Sequence, residues 1–202
     1  VNMAANYRTR NIDLVAGGSW SGYTCPHWGT ISWVDGVDNV AGRWYDNDVK
    51  KQDANAFVRA EWRVYSDASG NDLRLFGDMQ YRYVHYKAWG VNDNSIWGDE
   101  GVYMQPIDVD KQYHFLNPHL GLSYKRGGHN LFISAAIANR EPTRSDFTDR
   151  YMFSADDSYP KPERMVDIEL GYTYRAERVT AGINLYYMLY HNQLVATGMV
   201  ND

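Results

Sequence analysis

Asn55-Ala56-Phe57-Val58-Arg59-Ala60-Glu61-Trp62-Arg63-Val64-Tyr65 is the stretch on which the fold turns. Its even positions, Ala56, Val58, Ala60, Trp62 and Val64, are apolar, and its odd positions carry Asn55, Phe57, Arg59, Glu61, Arg63 and Tyr65. Alternation of this kind sends the two sets to opposite faces of a β-strand. The next run repeats it, with Leu73, Leu75, Gly77, Met79, Tyr81 and Tyr83 on one face and Arg74, Phe76, Asp78, Gln80, Arg82 and Val84 on the other. Between the two lies Ser66 to Asp72 with Gly70-Asn71, a hairpin-turn signal.

Two more hairpins follow outward from this one. Tyr113 to Tyr124 alternates through Leu116, Pro118, Leu120 and Leu122, and pairs across Gly127-Gly128 with Asn130 to Asn139, which carries Leu131, Ile133, Ala135 and Ile137. Met165 to Tyr174, with Val166, Ile168 and Leu170, pairs across Ala176-Glu177 with Val179 to Tyr190, with Ile183 and Leu185. Ile12 to Tyr23 reads as one more strand, less regular. The connections alternate between tight turns and long segments, roughly Thr24 to Gln52, Ala88 to Gln112 and Arg140 to Arg164, which read as long loops. The expected fold class is all-β: an antiparallel up-and-down meander, a segment of a transmembrane β-barrel with short periplasmic turns and long extracellular loops.

Strand length and charge placement argue for the membrane. These runs reach the roughly 9 to 11 tilted residues that cross a bilayer, whereas a soluble strand is about 5 to 6. Their polar faces hold Arg59, Glu61, Arg63, Asp78, Arg82, Asp167 and Glu169 at mid-strand, which suits a watery lumen and not a dry sandwich core. Tyr65, Tyr81, Tyr83, Tyr86, Tyr124, Tyr172, Tyr174, Tyr186, Tyr187 and Tyr190 gather near strand ends, where a membrane interface holds aromatic rings with a polar tip. The competing reading is a soluble β-sandwich carbohydrate-binding module with Trp-rich loops, whose mark would be short strands in two sheets packed face to face.

Composition excludes other classes. The chain has 202 residues, a net charge of -5 and 15% aromatics. That is too aromatic for disorder, and its scattered Lys and Arg form no basic stripe for nucleic acid. Mean hydropathy is -0.57, and the longest nearly apolar run, Leu131 to Ala138, is too short for a membrane helix. The single cysteine, Cys25, makes no internal disulfide and no Cys-rich metal site. Neither a phosphate-binding Gly-rich loop nor a Gly-x-Ser-x-Gly elbow is present, so the reading is not an enzyme and needs no cofactor. The chain starts at Val1 with no signal-like segment and stops at Asp202 without a terminator, so it reads as a piece of a longer protein.

Particular residues then match a family. Asn139-Arg140-Glu141-Pro142-Thr143-Arg144-Ser145-Asp146-Phe147 is followed by Pro160-Lys161-Pro162-Glu163-Arg164 and Asp167-Ile168-Glu169-Leu170-Gly171-Tyr172. Asn184-Leu185-Tyr186-Tyr187-Met188, Gln193-Leu194-Val195 and, upstream, Phe76 to Tyr83 and Phe115 to His119 extend the match. Together these segments resemble the barrel of TonB-dependent outer-membrane receptors, especially those of Bacteroidetes-like bacteria. The resemblance implies a location in the cell outer membrane of a Gram-negative bacterium, in contact with outer-membrane lipid. It implies import of a scarce ligand, a siderophore, cobalamin, haem or a glycan, driven by the TonB complex acting through a plug. Residues 1–202 would then be a partial barrel domain, with plug and final strands absent.

Candidate sites follow. Trp28, Trp33, Trp44, Trp89 and Trp97 lie in or beside the expected loops and are the candidate ligand contacts, since exposed rings can stack on a sugar or a catechol. Arg59, Glu61, Arg63, Asp78, Arg82 and Glu169 are the candidate lumen residues, able to form a cross-strand charge ladder and to meet a plug. His27, His85, His114, His119, His129 and His191 are too dispersed for a metal site. Asp35 to Asn39 and Asp46-Asn47-Asp48 read as solvated turns, and Asp146, Asp149, Asp156 and Asp157 as an acidic loop whose flanking Arg140, Glu141, Arg144, Glu163 and Arg164 pair locally.

Overall fold

The computed structural model describes residues 1–33, 35–36, 42–98, 101–148 and 160–193, with the side chains of 94–98 and 101–103 excepted. Eight strands run in chain order: β1 (Asn2–Arg8), β2 (Ile12–Thr30), β3 (Arg43–Ser66), β4 (Asp72–Gly98), β5 (Gly101–Arg126), β6 (His129–Arg140), β7 (Glu163–Arg175) and β8 (Thr180–His191). A short helix, α1 (Arg144–Thr148), lies between β6 and β7. The strands form one antiparallel sheet in the order β1-β2-β3-β4-β5-β6-β7-β8. All three hairpins expected from alternation are present, and a further strand, β1, precedes them. A single sheet of strands this long is a meander and not a two-sheet sandwich.

Register carries one row of apolar side chains across seven strands. Ile12 faces Trp62, Trp62 faces Leu75, Leu75 faces Leu122, Leu122 faces Ile133, Ile133 faces Leu170, and Leu170 faces Leu185. Each of these side chains is exposed. On β4 the apolar face runs from Leu73 to Tyr83. That length is about 33 Å along the strand, or about 25 Å in height at a tilt of ~40°, the height of a lipid-facing band. Tyr81, Tyr83 and Tyr187 lie on this outer face near one edge of the band, and Tyr65, Tyr124, Tyr172 and Tyr174 near the other. Tyr86, Tyr186 and Tyr190 share the opposite, inner face instead.

Arg59, Glu61, Arg63, Asp78, Arg82 and Glu169 all share that inner face. Some form the expected ladder. Arg74 reaches Glu61 and Asp72 at 2.6 Å each, and His119 Nδ1 lies 2.9 Å from Asp78. Two inner-face glycines are needed for a steric reason. The Phe76 ring lies over Gly121 on the adjacent strand, and the Phe132 ring over Gly171, each where a Cβ would stand. The rings fill the gap that each glycine leaves.

The tight turns gather at one end of the sheet. Asp67 organises the β3–β4 turn: its carboxylate accepts bonds from the Ser69 and Asn71 N–H groups, the Asn71 amide and the Tyr65 hydroxyl. The Asn71 bonds hold its carboxyl below the usual range. The opposite end departs from the expectation of long loops. β2 continues to Thr30 and β3 begins at Arg43; β4 and β5 continue to Gly98 and Gly101. Thr24–Gln52 and Ala88–Gln112 are therefore mostly strand, and Asp46-Asn47-Asp48 belongs to β3, not to a turn. Alternation persists there but with its polarity exchanged. The outer face becomes polar, with Lys50, Gln52, His85, Lys87, Asp110 and Gln112, while the inner face becomes apolar, with Val49, Val84, Ala88, Ile107, Val109 and Phe115.

Two substitutions test this arrangement. Leu170→Arg should lose about 2–4 kcal/mol of folding free energy in lipid vesicles, the cost of a cation on the lipid face near the midplane; an effect no larger than that of Glu169→Leu would reverse the face assignment. Gly121→Val should cost about 1–3 kcal/mol by overpacking against Phe76, and Phe76→Ala in the same chain should recover part of that loss in urea titrations.

Candidate functional site

Above the apolar band, the β6–β7 connection folds back onto the inner face of β3, β4 and β5. The nine residues from Asn139 to Phe147 account for this almost one by one. Asn139 donates from its amide to Asn117 Oδ1 at 2.9 Å and to the Leu116 carbonyl at 3.1 Å, holding the end of β6 to β5. Arg140 pairs with Glu163 across β7 at 3.1 Å. Pro142 is buried and ends the strand. Thr143 stands before α1, and its backbone N–H donates to the Asp146 carboxylate at 2.6 Å, a capping arrangement. Arg144 Nη2 donates to Asn47 Oδ1 at 2.8 Å. Phe147, at the end, stacks on Tyr86 with centroids 5.4 Å apart and planes within 12°.

Glu141 is the electrostatic centre. Its carboxylate accepts from Lys51 Nζ at 2.5 Å and from Arg82 Nη1 at 2.8 Å, while Arg82 also reaches Asp53. These four groups form a chain, Lys51–Glu141–Arg82–Asp53, joining β3, β4 and the folded-back segment. Burial works to raise the Glu141 carboxyl, but the bonds from Lys51 and Arg82 outweigh it and leave it below the usual range. Glu141 and Arg144 thus pair with distant strands, which corrects the expectation of local pairing at a rim. The sequence alone does not point to Lys51, Asn47 or Tyr86 as partners of this segment; the i,i+2 apolar phase of Val84, Tyr86 and Ala88 is the signal that could have found them.

Phe147, Tyr86, Val49, Ala88, Ile107 and Val109 form a buried apolar cluster beside this chain of charges, with Tyr113 against it. Burial pushes the Tyr86 hydroxyl up to about 12. Between β2 and the segment lies a recess of about 440 Å³, whose lining includes Tyr23, Cys25, His27, Lys51, Tyr86 and Arg144. His27 Nδ1 lies 3.1 Å from the Cys25 carbonyl, and its Nε2 3.8 Å from Cys25 Sγ. Among the described residues no group of three or more His, Cys, Asp or Glu is gathered for a metal ion.

The five tryptophans separate from this site. Trp28, Trp44 and Trp89 lie in strands, not loops. Trp28 and Trp89 are on the outer face, Trp44 stands at the irregularity between Arg43 and Tyr45 where the β2–β3 register shifts, and none of the three lines the recess. Trp33 is exposed just beyond β2. Trp97 belongs to β4, and its side chain lies outside the described residues. Asp149, Asp156 and Asp157 of the acidic segment also lie outside them; Asp146 caps α1.

The sequence model of the family described as TonB dependent receptor-like, beta-barrel matches residues 2–202. A search of the curated proteins found no match. Among solved structures, the chain is similar to one titled copper transporter OprC, with TM-score 0.62 and 14% identity over 94% of this chain and 29% of that one. It is also similar to the ferric-catecholate import receptor Fiu from E. coli K12 in its closed form, with TM-score 0.58 and 15% identity over 93% of this chain and 30% of that one. The chain therefore spans under a third of the length of these structures, and the likeness to them is one of fold.

If the Glu141 chain of charges holds the segment down, acid should release it. A carboxyl lowered on folding contributes fully above its unfolded pKa of about 4.3 and loses that contribution as pH falls through the lower folded value. A spin label at exposed Ser145 should gain mobility over that window. Glu141→Gln should weaken docking by about 1–3 kcal/mol and remove the acid step.

Proposed function

Because the chain belongs to the TonB-dependent receptor-like β-barrel family, we propose that it forms part of an outer-membrane receptor that imports a scarce small molecule with energy passed through the TonB complex. The family is one of receptors and transporters in the outer membrane of Gram-negative bacteria. The supporting observation in this chain is the exchange of polarity along its strands. A lipid-facing band encloses a charged inner face, and above it the inner face carries a built compartment closed by the segment from Asn139 to Phe147. A plug inside the barrel would meet Arg59, Glu61, Arg63 and Arg82, and further strands would pair with the open edges of β1 and β8.

The recess beside Glu141 is the proposed wall contact for the ligand. Its lining sets Lys51, Arg140, Arg144 and His27 against one carboxylate, Glu141, which Lys51 and Arg82 already engage. This excess of donors favours an anionic, oxygen-bearing ligand such as a metal-loaded chelate over a neutral one. Copper and ferric-catecholate are what the names of the two similar structures say of those proteins.

Uptake of radioactive iron carried by a catecholate or a hydroxamate, of cobalamin and of haem should be measured in cells that make the intact receptor and in cells that lack it. One of these probes should enter only in the first. Entry should stop when the TonB complex is disabled, and Arg144→Gln should lower it about tenfold or more, the scale of one charge-assisted contact. Uptake that continues without the TonB complex would end the reading.

A further inference from the structure

We propose that the outer face of β2, β3 and β4 above the band is a docking surface for the sugar chain of a phosphorylated glycolipid in the surrounding outer leaflet. The proposal rests on the outer-membrane location proposed above and on side chains that face away from the lumen. Trp28 on β2 and Trp89 on β4 are 53% and 38% exposed on this face, and Trp44, at the bulge of the β3 strand between them, is 49% exposed. These strands lie inside the sheet, flanked by β1 and β5, so strands added at its edges would leave this face open. A monomeric surface rarely leaves large rings grouped in this way without a partner.

Height orders the chemistry. Tyr83 marks the edge of the band on β4; Lys87 follows four residues later and Trp89 six. At ~3.3 Å per residue and a tilt of ~40°, these stand about 10 Å and about 15 Å above the hydrocarbon. Lys87 lies directly opposite Lys50. Two ammonium groups in register repel each other unless an anion lies between them. Lys87 is partly neutralised by Asp110 at 3.3 Å, and among the described residues Lys50 makes no ion pair. The tier above differs. Trp28 faces Asp46, and Trp89 faces both Asp48 and Asp108. Arg43 pairs with Asp46 at 2.7 Å and holds its guanidinium 5.0 Å from the Trp28 ring centroid.

Rings alternating with carboxylates suit a neutral sugar: the C–H face of a pyranose packs on indole, and its hydroxyls donate to carboxylate oxygens. The same carboxylates repel phosphate, so the upper tier does not fit a second phosphate. Apolar band, lysine pair, then tryptophan and aspartate follow the order of acyl chains, phosphate and sugars in such a lipid.

The intact receptor should be purified in mild detergent from two hosts, one with a complete glycolipid sugar chain and one with the chain truncated to its phosphorylated base. Retained glycolipid is counted by native mass spectrometry. Trp28→Ala with Trp89→Ala should lower retention of the complete glycolipid about fivefold and leave the truncated one at the wild-type level. Lys50→Gln with Lys87→Gln should lower both. Retention of the complete glycolipid unchanged by the tryptophan pair overturns the proposal, and so does an equal loss of both glycolipids. Loss of a co-purifying protein with glycolipid unchanged overturns it as well. Heat-modifiable migration on gels checks that each variant is folded. Fractionation of the receptor away from the outer membrane would instead count against the location on which the proposal rests.

Discussion

Side chains on a strand alternate with period two, so a slip of one residue between β3 and β4 would turn Trp62 inward and send Arg63 toward lipid. Nothing else in the sheet tolerates that error. The row from Ile12 to Leu185 is apolar on seven consecutive strands, and its neighbours on the inner face include Glu61, Arg74 and Glu169. In hydrocarbon an exposed charge has no water to turn to, while on the inner face the same groups find each other. Register thus settles both faces at once, and the Phe76–Gly121 and Phe132–Gly171 contacts add a steric check that a slipped pairing would fail.

The same alternation carries a second layer of information above the band. There the outer face meets water and the inner face meets the protein's own β6–β7 connection, so apolar and polar phases exchange places. Phe147 could not be buried if β4 kept Gln80-type residues at positions 84, 86 and 88 instead of Val84, Tyr86 and Ala88. Lys51, Arg82 and Asp53 lie at the boundary between the two regimes, where an inner-face charge can still be reached by Glu141.

The band was legible in sequence because alternation there is reinforced by hydropathy: Val58, Trp62, Leu75 and Leu122 differ sharply from Arg59, Arg63, Arg74 and Ser123. The upper extensions were not. Between Thr24 and Gln52, and again between Ala88 and Gln112, charged residues occur on the outer face and Gly, Asn and Asp interrupt the run, which resembles a loop when hydropathy is averaged. Trp28, Trp44 and Trp89 read as loop residues for the same reason, since a loop has no face and a strand does. The Asn139–Phe147 stretch was visible as a motif, but its partners are 22 to 97 residues away in the chain, and no local pattern points to them.

That separation also bears on the order in which the molecule is built. Lys51 and Glu141 are 90 residues apart, and Arg82 and Glu141 are 59 apart. Contacts between such distant positions close large loops and form late. Before Glu141 can reach both cations, β3 to β6 must already be paired in their final register. The carboxylate therefore acts as an assembly check, satisfied by a correctly laid wall and left without its two partners by one that is a strand short or a residue out of phase.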